Sequence, residues 1–190
     1  MKRAILPALM ISLLLTGCGN GGAAERALEA RRDTLAAAAE ISFTAKTTAF
    51  FGDEVFDCTL DCVADPETVT VEVAAPDMIA GVRATVRNGE TTLHYETVSL
   101  PVGHAGAEEP GPLSAMPVLV RALREGHVIR AWEETREDMP LIAAELYADD
   151  VYGLTMWFDA KTLSPVAASL RSGEAEKVKC EISKFNIKET

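Results

Sequence analysis

Two runs decide the fold: Thr68-Val69-Thr70-Val71-Glu72-Val73 and, after a break at Pro76, Val82-Arg83-Ala84-Thr85-Val86-Arg87-Asn88-Gly89. In both, every second side chain is apolar and those between are mainly polar. A period of two is that of a strand with one face buried and one face wet. Asn88-Gly89, between Val86 and Leu93, is the pair a type I′ hairpin demands. Upstream the same alternation recurs. Phe56, Cys58, Leu60 and Cys62 alternate with Asp57, Thr59 and Asp61, and Phe43, Ala45 and Thr47 alternate with Thr44, Lys46 and Thr48. Turn residues separate these runs at Gly52-Asp53, Asp65-Pro66 and Ala75-Pro76-Asp77.

Downstream, Thr91 to Leu100 reads as one more strand, followed by a long loop, Pro101 to Ser114, rich in Gly, Glu and Pro. A helix comes next, because Met116, Leu119, Val120 and Leu123 fall on one stripe. Ser114 is the expected N-cap and Gly126 the stop. Five further strands are expected at His127–Glu134, Leu141–Tyr147, Gly153–Asp159, Pro165–Arg171 and Lys177–Asn186. Before all of these, Ala23 to Glu40 has helix composition with a thin apolar stripe, Leu28, Leu35, Ala38 and Ala39. It suits a helix lying across the edge or mouth of a sheet. About ten strands are more than one flat sheet comfortably holds. The expected fold is mostly β (α+β), a curved antiparallel half-barrel with its concave face covered by the two helices.

This order resembles the LolA/LolB-like fold of periplasmic lipoprotein carriers and of related Gram-positive lipoproteins. The resemblance lies in the leading helix, the strand meander with Pro76 after its third strand, and the hairpin Val86-Arg87-Asn88-Gly89-Glu90. The strand with Leu93-His94-Tyr95 and the apolar helix between the two halves of the sheet complete it. It implies a half-barrel with a helical lid over an apolar cavity, spanning about Ala23 to Ile187. No ligand-binding residue of the carriers is carried over.

The first residues give an address. Lys2 and Arg3 precede an apolar run, Ala4 to Leu15, that is shorter than the ~20 residues of a spanning helix. Leu15-Thr16-Gly17-Cys18 resembles the lipobox of bacterial lipoproteins. That resemblance implies a signal peptide over residues 1–17 and a diacylglycerol on the Cys18 sulfur. Two acyl chains anchor stably where one would not. Residues 18–22, with Gly19-Asn20-Gly21-Gly22, read as a lipidated Cys and flexible tether, and 23–190 as one domain. Loss of residues 1–17 leaves 16 Lys and Arg against 29 Asp and Glu, a formal charge of −13. So acidic a surface is repelled by nucleic acid and by anionic headgroups. The expected location is extracytoplasmic, lipid-anchored to a membrane, without nucleic-acid partners.

Chemistry is sparse. Cys58 and Cys62, four apart on one strand, lie ~13 Å apart and cannot bridge each other. Cys180 faces the same apolar side of the last strand. It either bridges Cys58 or Cys62, or all three are buried thiols acting as small apolar side chains. His94, His104 and His127 have no metal-ligand spacing, so no metal or cofactor is expected. Ser99 and Ser114 lack a nucleophile-elbow context. Glu108-Glu109, Glu133-Glu134, Glu137-Asp138 and Asp149-Asp150 read as solvated charge, and no enzyme is expected.

Two functions follow. The first is binding of a lipid, acyl chain or other hydrophobic ligand on the inner face. Its candidate wall is Val71, Val73, Val82, Ala84 and Val86 from the sheet and Met116, Leu119 and Leu123 from the helix. Leu146, Met156 and Phe158 extend it on the other half, and plain core is the alternative use of all these side chains. The second is a non-enzymatic envelope interaction protein that positions or regulates a protein partner, as a spore or cell-wall factor does. A cavity favours the first, and a filled barrel with an external apolar patch the second.

Overall fold

The computed structural model describes residues 21–104, 111–147 and 152–189. Cys18 and the leader lie outside them. Among the described residues eleven strands form one antiparallel sheet, not closed into a barrel, accompanied by two α-helices. The N-terminal half comprises α1 (Gly21–Ala37), β1 (Glu40–Phe51), β2 (Glu54–Ala64), β3 (Thr68–Ala75), β4 (Arg83–Arg87), β5 (Glu90–Tyr95) and β6 (Val98–Gly103). Then come α2 (Pro112–Glu125), β7 (His127–Arg136), β8 (Met139–Tyr147), β9 (Gly153–Asp159), β10 (Pro165–Ser172) and β11 (Ala175–Lys188). Each half is a meander. They join where β1 pairs with β11, so the strand order is β6-β5-β4-β3-β2-β1-β11-β10-β9-β8-β7.

Asn88 and Gly89 both take positive φ, 52° and 79°, so the β4–β5 connection has the primed turn its sequence demands. The run Thr91–Leu100 is not one strand. It folds back at Glu96-Thr97, where Glu96 adopts φ 51° and Tyr95 pairs with Val98. Glu96 has no turn signature, so the eleventh strand was hidden. Ser114 is not the N-cap. Gly111 is, with Pro112 opening the helix, and the Ser114 hydroxyl three positions on accepts the Gly111 N–H at 2.9 Å. Helix α1 starts two residues earlier than expected, within the Gly21-Gly22 of the expected tether, and stops at Ala37. Glu40 opens β1.

Directly opposed residues of neighbouring strands share a face. One row on the inner face is Cys58, Thr47, Cys180, Ala168, Met156, Ala144 and Ala131. All of it is buried. Helix α2 lies over β1, β2 and β3, α1 lies against β7, and the helices touch each other. Ile41, Leu60, Val71, Met116, Leu119, Met156 and Leu170 are sealed between these layers.

Candidate functional site

The inner-face residues expected to bind a ligand fall into two groups. Met156 is sealed, and Leu146 and Phe158 are buried beneath α1. With Leu123 the latter two border a space of about 30 Å3 between α1, α2 and the β7–β9 side, room for roughly one water. Val71, Val73, Ala84, Met116, Leu119 and Leu123 are buried around α2, and Val82 and Val86 are half-buried at its margin.

At that margin the cover ends. Val71 opposes Ala84, Ala84 opposes Leu93, and Leu93 opposes Leu100. Exposure along this row runs from 0% at Val71 through 2% at Ala84 to 57% at Leu100. The next opposed pair on the same face, Tyr95 and Val98, is exposed as well. The apolar inner face therefore continues past the helices onto β5 and β6 as an open wing. An undivided strand over 91–100 puts Val98 and Leu100 on the opposite face from Leu93 and Tyr95, so the sequence alone does not gather these four on one wall.

The three thiols are free and buried. Cys58 and Cys62 share the inner face of β2 with Leu60 between them. The bridge considered for Cys180 is not formed. Thr47 of β1 stands between Cys58 and Cys180, and two strand spacings of ~4.8 Å exceed disulfide reach. Burial, with a smaller push from Asp57, raises the Cys58 thiol to about 11. Burial raises Cys62 and Cys180 to about 12. An unfolded thiol releases its proton near pH 9.0. The folded state thus holds protons that the unfolded state loses, so stability is complete below about pH 9 and falls as pH rises through the folded values. The expected slope is about 1.4 kcal/mol per pH unit for each such thiol. Urea melts at pH 8, 9.5 and 10.5 measure it, and Cys62→Ala is expected to flatten the fall.

His94 Nδ1 and Ser99 Oγ lie 2.8 Å apart on the outer face of β5–β6, beside the Arg83–Glu72 ion pair. All four are at least partly exposed. Among the described residues no group of His, Cys, Asp and Glu has the geometry to hold a metal ion.

The outer face of the sheet carries a feature that sequence reasoning missed. An open groove of about 920 Å3 runs across β2, β1, β11 and β10 to Trp157 of β9. Behind it the Glu134 carboxylate accepts three donors: Trp157 Nε1 at 2.8 Å, Trp132 Nε1 at 3.0 Å and Arg136 Nε at 2.6 Å. The sequence alone places Glu134 in a solvated pair with Glu133.

No family model and no curated protein matches this chain. Solved structures do. An uncharacterized conserved protein of Thermus thermophilus is similar over 87% of this chain and 88% of its own, at 7% identity and TM-score 0.51. A Desulfovibrio piger protein from a family of unknown function matches over 87% and 92%, at 9% identity and TM-score 0.50. A LolA superfamily protein of Nitrosomonas europaea matches over 87% and 94%, at 9% identity and TM-score 0.47. The first two, at TM-scores of 0.51 and 0.50, share this chain's fold. Identities this low speak for fold alone.

Proposed function

We propose that this chain is a non-enzymatic envelope protein, anchored outside the cytoplasm through Cys18, that binds an acyl chain or similar apolar ligand on the inner face of its half-barrel. The observation that carries the reading is the open wing. A soluble domain covers its apolar sheet face or uses it, and here the row from Val71 to Leu100 passes from sealed core to open surface. An acyl chain laid along Leu93, Tyr95, Val98 and Leu100 meets the half-buried Val82 and Val86 at the edge of α2. The expected wall residues there, Val71, Val73, Ala84, Met116, Leu119 and Leu123, form the floor behind it. No helix among the described residues is long and apolar enough to cross a membrane; the proposed attachment is the Cys18 lipid.

One observation favours the second reading, a protein partner. Strand β6, Val98-Ser99-Leu100-Pro101-Val102-Gly103, is an exposed sheet edge without a charge, whereas the other edge, β7, bears Arg130, Glu133, Glu134 and Arg136. Edges are usually defended by charge, proline or a bulge; β6 has Pro101 and a register shift at its far end, which leaves Val98–Leu100 as the stretch open to pairing.

One set of measurements separates the two. The Cys18→Ser chain is expected to keep its leader and to carry no acyl mass, so the soluble domain is expressed without residues 1–18. It is then titrated with a fluorescent C12 fatty acid. Saturable uptake that Val98→Asp and Leu100→Asp each weaken about tenfold or more, about 1.4 kcal/mol, supports the ligand reading. Both side chains are exposed, so the fold is expected to persist. No uptake by the parent chain, with no lipid extracted from it, overturns that reading and leaves the edge strand as the functional surface.

A further inference from the structure

We propose that the groove on the outer, helix-free face of the sheet is a second binding site and that its ligand is a neutral oligosaccharide. The floor is a cross-strand row, Thr59–Lys46–Glu181–Ala167–Trp157, contributed by β2, β1, β11, β10 and β9 in turn. Four strand spacings of ~4.8 Å give it a length of ~19 Å, and a volume of about 920 Å3 places it among ligand-binding clefts.

An indole platform closes one end. Trp157 is held by two contacts: its N–H donates to Glu134, and the Arg136 guanidinium stacks on its ring 4.1 Å from the centroid. Both ring orientation and tilt are thereby set before any ligand arrives. Its neighbour in the row, Ala167, is small and leaves open space beside the ring. The other tryptophan of the chain, Trp132, is two strands further along the same face, opposite Ala143, and bonds to the same carboxylate. Every tryptophan in the protein is therefore committed to this end of the outer face.

The remaining wall is polar and balanced. Lys46, Lys179 and Arg136 stand against Asp57, Glu176 and Glu181, in a chain whose formal charge is −11. Lys179 is paired with Glu176 at 2.7 Å, and Thr48 donates to Asp57 at 2.6 Å. Donors and acceptors thus alternate along the groove with no net sign. A polyanion is repelled by the chain as a whole and finds no cationic surplus here. An acyl chain finds polar walls. A peptide cannot add as a strand, since every floor strand is already paired on both sides. A sugar polymer fits each feature: its hydroxyls both donate and accept, and the C–H face of a pyranose ring lies flat on an indole.

The test uses the full chain with its lipid, reconstituted in phosphatidylcholine vesicles, and reads intrinsic tryptophan emission, which arises solely at this end of the sheet. The probes are the tetramer of N-acetylglucosamine and cellotetraose. A saturable emission change with at least one of them is expected, confirmed by saturation-transfer NMR of the sugar. Trp157→Ala is expected to weaken binding tenfold or more, with NMR as its readout, and Lys46→Ala and Glu181→Gln severalfold. The last two lie on the outer face, away from the core, so they report on the site even if Trp157→Ala fails to fold. Absence of saturable binding for both sugars overturns the proposal. So does binding that Lys46→Ala and Glu181→Gln leave unchanged, or binding lost equally in Val98→Asp on the other face.

Discussion

Leu119→Ala is expected to lower the stability of the domain by about 2–5 kcal/mol, the range for emptying a sealed leucine site. Leu119 is 0% exposed, in the middle of α2. That helix is the cover over β1, β2 and β3, next to the seam where the two meanders join. Helix α1 lies against β7 instead and cannot close the gap. The surrounding side chains, among them Met116, Leu60 and Val71, are themselves sealed, so relaxation into the hole is restricted. A domain of ordinary stability, about 5–15 kcal/mol, would lose a large share of it. Urea unfolding with an unchanged slope measures the loss. Leu119→Met, which keeps the volume, is expected to cost less than about 1.5 kcal/mol. Leu113→Ala, at the half-buried start of the same helix, is expected to cost less than Leu119→Ala. Equal losses for Leu113 and Leu119 would mean that α2 does not seal the seam.

The inner face was legible because burial writes a period of two into the sequence. Phe43, Ala45 and Thr47 are buried on β1, and Cys58, Leu60 and Cys62 on β2, as the alternation required, whereas Phe56 at the start of the second run is exposed. The β4–β5 turn was legible because Asn-Gly is the chemistry of two successive positive φ values. The β5–β6 turn was not, since Glu96 reaches the left-handed region by tertiary pairing rather than by side-chain preference. From that one missed turn followed the missed wing.

The outer groove was illegible for a different reason. Polar side chains on a wet face carry no period that distinguishes a site from plain solvation. Lys46 and Glu181 become neighbours through the β1–β11 pairing, and Trp132 and Trp157 through Ala143. Both depend on the registers of several strands at once, and one residue of slip would turn every one of these side chains to the other face. Glu134 in particular looks like surface charge until the two indole N–H groups that it accepts are placed beside it.

Arg124→Met is expected to cost about 2–4 kcal/mol and to loosen α1 before anything else. Arg124 sits in the last turn of α2. Its guanidinium donates to the Ala38 carbonyl at 2.9 Å, to the Ala64 carbonyl at 3.2 Å and more weakly to Ala36 at 3.4 Å. Ala36 lies in the last turn of α1 and Ala38 just beyond it, where carbonyls lack helical partners and a cation opposes the helix dipole. Ala64 ends β2. One side chain therefore ties both helices to the sheet. Burial lowers the affinity of Arg124 for its proton, with Asp65 and Glu125 acting the other way, and an arginine remains charged at any working pH. Methionine fills similar space without a donor, so the cost is that of charge-assisted hydrogen bonds worth about 1.5–3 kcal/mol each, softened where water reaches the freed carbonyls. Lysine restores the charge at a single point and cannot span Ala38 and Ala64 together, so Arg124→Lys is expected to recover less than half of the loss. Hydrogen exchange locates the effect: amides in the last turn of α1 are expected to exchange faster, while those of the Met116–Leu123 stretch keep their protection. A change within about 0.5 kcal/mol, the ordinary effect of a surface substitution, would show that α1 is held without help from Arg124.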